Sequence, residues 1–452
     1  DRQDNPAPDR DLEPEAARGA TWAPEEAGEE NSVESLAKRT AALVFADRDE
    51  GAQPQNDEET IRTGPPLPSA GTLDPSLVSL VSQAVSLEAT DIHIETGRNG
   101  GCVRMRVNGK LTTVSPFHDK APSELARAVK GWAGLEETPP GLNEGRFDFS
   151  EDVGLRVSTC TTMGGERMVL RLVDKRLCSG DLQGLGMAPD MEEKITRLLK
   201  HPGGLVLCTG PAGSGKTTTL YAALNTLNTP ETKIVTIEDP VEYQVQGINQ
   251  MQVNKDIGLD FAAGIRTVLR QSPDIILVGE IRDQETASAA IRAALTGHLV
   301  FSTLHTNDAP TATVRLIDMG VKPFLVASAL ESAIGQRLIR RICPSCKSAY
   351  TYKAQEIAAV GVDPKEFIDR EFAIGRGCSR CSNTGYRGRT AIHEIFIMNP
   401  ELRQMVIRRE SGSKIKAVAI RYGMRPLRMD GWEKVLLRQT TIEEIMRVTA
   451  LD

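Results

Sequence analysis

The sequence predicts an α/β protein: a mostly parallel sheet forms the core, with a small α+β domain before it and a cysteine-bearing, helical region after it. Three observations carry this prediction. Four apolar runs, "GLVLCTG", "KIVTIE", "DIILVGE" and "LVFSTLH", alternate with helical stretches, the pattern of parallel strands covered on both faces. Upstream, "DIHIE" and "GCVRMRVNGKL" alternate with period two, and Asn108-Gly109 marks a hairpin turn. After Ile342 the regular spacing stops at two CxxC pairs, CPSC and CSRC.

In chain order, residues 1–72 come first, rich in Asp, Glu, Pro, Ala and Gly, with Trp22 and Phe45 as the only aromatics. Such a segment buries too little apolar surface to fold, so a disordered arm is expected. One stretch, "SVESLAKRTAALVF" at 32–45, is different: Val33, Leu36, Ala37, Thr40, Leu43 and Val44 share one helical face. A docking helix is expected there, or one that packs on its own body or fluctuates. The first 60 residues hold 17 Asp/Glu against 6 Lys/Arg, while the whole chain is at −7, so the remainder carries +4. A near-neutral body gives no basic footprint for nucleic acid. No run approaches the ~18 apolar residues of a membrane span, and nothing reads as a signal peptide. The chain starts at Asp rather than Met, as a fragment or processed form would.

From Asp74, "DPSLVSLVSQAVS" has helical apolar spacing, and "LRVSTC" and "RMVLRLV" read as strands, giving an α+β domain over 73–180. A linker near 175–186 leads into the core at 187–342. A cysteine subdomain follows at 343–396, then a helical end at 397–452. The four scattered cysteines (102, 160, 178 and 208) read as free thiols, which fits a reducing, cytoplasmic setting.

Within the core, "GPAGSGKT" fits G-x-x-x-x-G-K-[ST] between an apolar strand and a helix, the context of a phosphate-binding loop. Its glycines, Gly210, Gly213 and Gly215, let the loop past Pro211 turn the backbone N–H groups of Ala212–Thr218 (Ser214, Thr217 and Thr218 among them) toward phosphates at a helix N-terminus. Lys216 is placed to reach the β/γ-phosphates of ATP, and Thr217 to ligate Mg²⁺. "DIILVGEIRD" ends a strand in Glu280, the candidate to act on water or metal; Gly279 stands where an Asp is usual. "TIEDPVE" brings Glu238, Asp239 and Glu242 to the carboxyl rim where α/β sheets bind ligands, although a solvated turn carries such acids too. "TGHLVFSTLHTND" sets His298 and His305 at the two ends of one strand. An imidazole beside a nucleotide would sense its γ-phosphate, since its hydrogen bonds change when phosphate leaves; for His298 a satisfied core histidine is the other reading. Cys343, Cys346, Cys378 and Cys381, as C-x2-C-x31-C-x2-C, offer the four thiolates of a structural Zn²⁺ site.

The order of these motifs, with "ATDIHIE" and "RVNG" before them and "GYRGR" after, resembles the secretion ATPases of the type II secretion and type IV pilus assembly class (the GspE/PilB class) from about Asp74 to Thr449. The resemblance implies a RecA-like P-loop ATPase core, preceded by a PAS-like domain. It places Glu238–Glu242 in the family's acid box and 296–308 in its histidine box, with both histidines near the nucleotide. Arg156 and Arg171 of the preceding domain would swing onto the γ-phosphate, and Arg266, Arg270, Arg282 and Arg389 match further arginines of the family's motifs. The implied protein is a homo-oligomer, a hexameric ring driving an inner-membrane platform through partners, peripheral on that membrane and binding no nucleic acid. A pilus retraction ATPase is the rival within the class, though retraction members lack the four cysteines. A nucleic-acid translocase and a non-catalytic scaffold are the rivals outside it. Two departures stand out: Asn108 replaces the Asp of "RxDG", and only the acidic arm precedes Asp74, where members carry a folded domain.

Overall fold

The computed structural model describes residues 74–97, 100–114, 122–135, 141–175, 180 and 182–449. The acidic arm, and with it the helix expected at 32–45, lies outside the described residues. The first domain is a six-stranded antiparallel sheet of β1 (Ala89–Gly97), β2 (Gly100–Val107), β3 (Lys110–Thr113), β4 (Asn143–Asp148), β5 (Val153–Thr162) and β6 (Gly165–Asp174). Its order is β3-β2-β1-β6-β5-β4. The period-two alternation sends Ile92, Ile94, Leu155, Val157, Met168 and Leu170 to one face. There they pack against helices Pro75–Ser86 and Pro122–Trp132 through Leu77, Leu80, Leu125 and Val129. The β2–β3 turn has positive φ at both Asn108 (50°) and Gly109 (80°), as a two-residue hairpin turn of this hand requires. Asn108 Nδ2 also donates to the Tyr386 carbonyl at 3.3 Å. An ionised aspartate has no proton to give there, which accounts for the Asn.

The core is a seven-stranded sheet in the order β15-β12-β7-β11-β10-β8-β9. Its strands are β7 (Gly204–Thr209), β8 (Ile234–Glu238), β9 (Ile248–Gln252), β10 (Ile275–Val278), β11 (Leu299–Leu304), β12 (Leu330–Ile342) and β15 (Tyr386–Ile397). All neighbours are parallel except β12 and β15. The strands read as continuous apolar runs because both faces are covered. Leu205, Leu207, Ile276, Val278 and Val300 face helices Phe261–Val268 and Gln284–Leu295. Val206, Leu277, Leu299 and Phe301 face helices Pro189–Leu198 and Lys216–Leu227.

Two strands extend the sheet beyond the four apolar runs toward β15. The longest, β12, pairs parallel with β7 on one side and antiparallel with β15 on the other. Residues 386–396, expected in the cysteine subdomain, therefore belong to the core sheet. The cysteines lie in the excursion between β12 and β15. That excursion also holds the short pair β13 (Lys347–Tyr350) and β14 (Phe372–Gly375). Four helices, Pro400–Ile407, Gly412–Arg421, Leu427–Leu436 and Ile442–Val448, close the C-terminal end. Among the described residues, no helix is long and apolar enough to cross a membrane.

One buried charge ties the last helix to β12. Glu444 accepts from Arg340 Nε at 3.0 Å and from Arg447 Nη2 at 2.6 Å, and the Tyr386 ring covers the Arg340 guanidinium at 4.1 Å. Burial pushes the Glu444 carboxyl up, but the bonds from Arg447 and Arg340 outweigh it and hold it below the ordinary 4.5. A depressed carboxyl stabilises the fold above pH 4.5 and loses that contribution as pH falls through its lower folded-state value. Glu444→Gln should therefore cost about 2 kcal/mol at pH 7, less than the ~3–5 of a fully buried pair because Arg447 is exposed. Urea unfolding of both proteins at pH 7 and pH 4 checks this: the gap should narrow at the lower pH.

Candidate functional site

In a parallel sheet the strands' carboxyl ends lie on one side, so the loops after β7, β8, β10 and β11 meet. After β7, Gly210–Gly215 wraps into helix Lys216–Leu227, with φ of 149° at Gly210, 74° at Gly213 and 87° at Gly215. A side chain at Gly210 would also strike the Gln336 carbonyl oxygen, 2.5 Å from an added Cβ. Lys216 Nζ donates to the carbonyls of Gly210 (2.8 Å) and Pro211 (3.0 Å), closing the loop on itself. Burial pushes the Lys216 ammonium down, opposed by Cys208 and Glu280.

The cleft beside the loop is lined by Lys216, Thr217, Tyr221, Glu238, Asp239, Glu242, Gly279, Glu280, Thr303 and His305, among others. Glu280 follows β10, and its carboxylate pairs with Arg282 and lies 3.7 Å from His305 Nε2. Burial and the Lys216 ammonium push His305 below the ordinary 6.5, opposed by Glu280, whose carboxylate lies within ionic range of the ring. Gly279 has a local reason for its small size: an added Cβ would lie 3.2 Å from the Ile237 carbonyl oxygen and 3.4 Å from Glu238 Cα. A glycine-rich loop at a helix N-terminus, facing a carboxylate across a cleft, suits a nucleoside triphosphate.

The family described as "Type II/IV secretion system protein" matches residues 68–447. The chain belongs to that family. It is 42% identical over 392 residues to a "Type IV pilus assembly ATPase PilB" of Thermus thermophilus, an alignment covering 85% of this chain and 44% of that protein. It is 42% identical over 380 residues to a "Type II secretion system protein E" of Aeromonas hydrophila, covering 83% and 75%. Against the crystal structure of "the Pilus Retraction Motor PilT and Bound ADP" the TM-score is 0.59 at 26% identity, covering 82% of this chain and 96% of that one. This secretion-family chain is an ATPase with a RecA-like core, as its motifs implied.

The structure sorts the expected site residues into three groups. Lys216, Thr217, Glu238, Asp239, Glu242, Glu280 and His305 line one cleft, with Arg282 on Glu280. Glu238 is committed elsewhere within it. It is buried and accepts from Thr236 Oγ1 (2.6 Å), Gln250 Nε2 (3.2 Å) and the Tyr221 hydroxyl, so it braces the acid box against the phosphate-loop helix. Burial pushes its carboxyl up against those three bonds.

The second group sits away from the cleft. His298 precedes β11 and His305 follows it, so the six-residue strand holds the two imidazoles roughly 20 Å apart. His298 Nδ1 lies 3.0 Å from the Ala293 carbonyl oxygen, at the sheet's far end and outside the cleft. Arg266 pairs with Glu285 at 2.8 Å, and Arg270 is exposed; neither lines the cleft.

The third group belongs to the first domain. Strand register places Arg106, Asp91, Arg171, Arg156 and Arg146 in one row across β2-β1-β6-β5-β4, on the face opposite the helices. Arg171 pairs with Asp91 (3.1 Å) and Arg156 with Glu144 (2.8 Å), while Arg146 Nη1 donates to the Val241 carbonyl in the acid box (3.1 Å). Arg389 faces Glu88 and Asp91 from the core side.

Missed from sequence were Gln336 and Arg337 of β12, whose contacts with the phosphate and histidine loops are described below. Glu280→Gln should keep ATP binding and lower turnover at least tenfold, a barrier increase of ~1.4 kcal/mol or more. Lys216→Ala should lose binding as well. Equilibrium nucleotide binding beside steady-state turnover separates the two.

Proposed function

We propose that this chain is a Mg²⁺-dependent ATPase subunit of a hexameric ring that powers type II protein secretion or type IV pilus assembly, held at the inner membrane through protein partners. The observation that carries the reading is the Glu280–His305 pair facing Lys216 across one cleft, with an arginine row on the adjoining domain. Thr217 would hold the Mg²⁺ and Glu280 would orient the attacking water, with Asp239 and Glu242 on the rim of the same cleft. Like charges set side by side across a sheet are destabilising, so Arg146, Arg156 and Arg171 in adjacent register fit a face that meets an anion. The γ-phosphate of a nucleotide at the next site is such an anion. Ring closure would draw Arg156 and Arg171 off Glu144 and Asp91 and onto it.

Turnover per chain should accordingly rise with protein concentration as rings form, and Arg156→Ala should lower turnover with little change in ATP affinity. Sedimentation and phosphate release over one dilution series test this; a full rate from a monomer would sink the ring.

The cysteine cluster fits a structural zinc. Sγ–Sγ distances are 3.9 Å for Cys343–Cys378, 3.8 Å for Cys346–Cys381 and 3.7 Å for Cys378–Cys381. A tetrahedron with Zn–S of about 2.3 Å has edges of about 3.8 Å. Backbone N–H groups already point at sulfur, from Gly377 to Cys346 (3.3 Å) and from Cys378 to Cys381 (3.2 Å). Bound zinc would supply a fixed crosslink and no open coordination position. One zinc per chain should be found by metal analysis of protein prepared under reducing conditions. Cys378→Ser should release it and raise protease sensitivity within 343–381; a protein free of zinc would refute the site.

The tetracysteine cluster favours assembly over retraction, because retraction members of the family lack it.

A further inference from the structure

Strand β12 crosses beside both catalytic loops, and three consecutive residues, Gly335-Gln336-Arg337, each meet a different piece of the site. Gln336 is buried. Its Nε2 donates to the Ser214 carbonyl at 2.9 Å, and its Oε1 accepts from Thr219 Oγ1 at 2.6 Å. One amide thus spans the phosphate loop and the first turn of the helix that follows. It also packs against Gly215, where an added Cβ would lie 2.8 Å from Gln336 Nε2.

Arg337, also buried though less fully, donates through Nη1 to the Gln336 carbonyl at 3.0 Å and through Nη2 to the Asn307 carbonyl. Asn307 is two residues past His305. The same short tail is tied twice more. Ala309 N donates to Glu394 Oε1 at 2.6 Å, and Asp308 Oδ2 accepts from Lys416 Nζ at 3.1 Å. Gly335 makes the first of these ties possible, since an added Cβ there would meet Glu394 Oε1 at 2.9 Å.

His305 is itself half exposed, with its Nε2 3.7 Å from Glu280. Its place is therefore set by the backbone on either side: β11 before it and the pinned tail after it.

We infer that Gln336 and Arg337 are positioning residues with separable duties in ATP hydrolysis. Gln336 holds the curvature of the phosphate loop for binding, and Arg337 holds the histidine loop so that His305 stays on Glu280 for the chemical step. The inference rests on the ATPase reading above.

The test uses the full chain with MgATP, measuring the Kd of a fluorescent ATP analogue, kcat and thermal melting. Gln336→Leu should weaken nucleotide binding at least about fivefold, equivalent to the roughly 1 kcal/mol of one net hydrogen bond, while kcat at saturation stays within about threefold. Thr219→Val, a smaller change on the same contact, should move Kd in the same direction. Arg337→Ala should leave Kd within about threefold and lower kcat at least about tenfold. Arg337→Lys, which keeps the charge and one donor, should fall between it and wild type. Should the alanine variant melt below the assay temperature, the lysine variant carries the same comparison. Parallel losses in Kd and kcat from both positions, or no loss from either, overturn the assignment. A wild-type chain without MgATP turnover would instead sink the ATPase reading, so the two failures are distinguishable.

Discussion

Parallel registry between β7 and β11 is the constraint from which the site follows. Thr209 lies opposite Leu304, and Gly210 N donates to the Leu304 carbonyl at 3.2 Å, so the phosphate loop and His305 leave the sheet side by side. Val278 of β10 lies opposite Ser302, which brings Glu280 up beside the same edge. A one-residue slip of β11 would turn every buried side chain of that strand to the other face. The alternation that fills the two cores is thus what fixes the distance between Glu280 and His305. Core packing and the geometry of the cleft are set by the same hydrogen bonds.

The parts most legible in the sequence were those whose chemistry is local. A phosphate loop needs its glycines, lysine and hydroxyl within eight residues, and the four cysteines announce themselves as two CxxC pairs. The apolar runs gave four core strands for the same reason. Strand β15 was harder, because its partner β12 lies on the far side of the cysteine excursion and nothing local in "YRGRTAIHEIFI" names that partner. Gln336 and Arg337 were illegible for a related reason. Their partners, Ser214, Thr219 and Asn307, are distant in sequence, and an amide or guanidinium in an apolar strand carries no mark of what it will meet. For His298, strand length alone is informative. A six-residue strand is too long for both of its ends to reach one phosphate group.

The charges that bear on the proposed site lie on two domains. On the core side three of the cleft's charges have a neighbour: Lys216 on its own loop carbonyls, Glu280 on Arg282, Glu238 on three donors. On the first domain, Arg171 is largely exposed and Arg156 half-buried, and their acidic partners Asp91 and Glu144 lie on the same sheet. The Arg156–Glu144 pair, with its carboxylate exposed, is worth little, on the order of 0–1 kcal/mol, whereas Asp91 is buried and holds Arg171 more firmly. Arg282 on Glu280 is as exposed as Arg171 on Asp91, so either arginine can be drawn onto a phosphate.

The cysteine cluster, far from the nucleotide in sequence, bears on the same geometry through β12. Ile342 pairs with Tyr386 at the open end of the β12–β15 ladder, and Cys343 follows at once, its N–H donating to the Gly385 carbonyl at 2.9 Å. Gly385 in turn comes so close to Gly375 that a Cβ on Gly375 would lie 1.9 Å from the Gly385 carbonyl oxygen. The four sulfurs therefore gather where the two strands and their excursion meet. A metal on them would lock that junction and with it the register of β12. Seven residues back along β12 from Cys343 is Gln336, and six back is Arg337. A metal there would thus steady the strand that touches both the phosphate loop and the histidine loop.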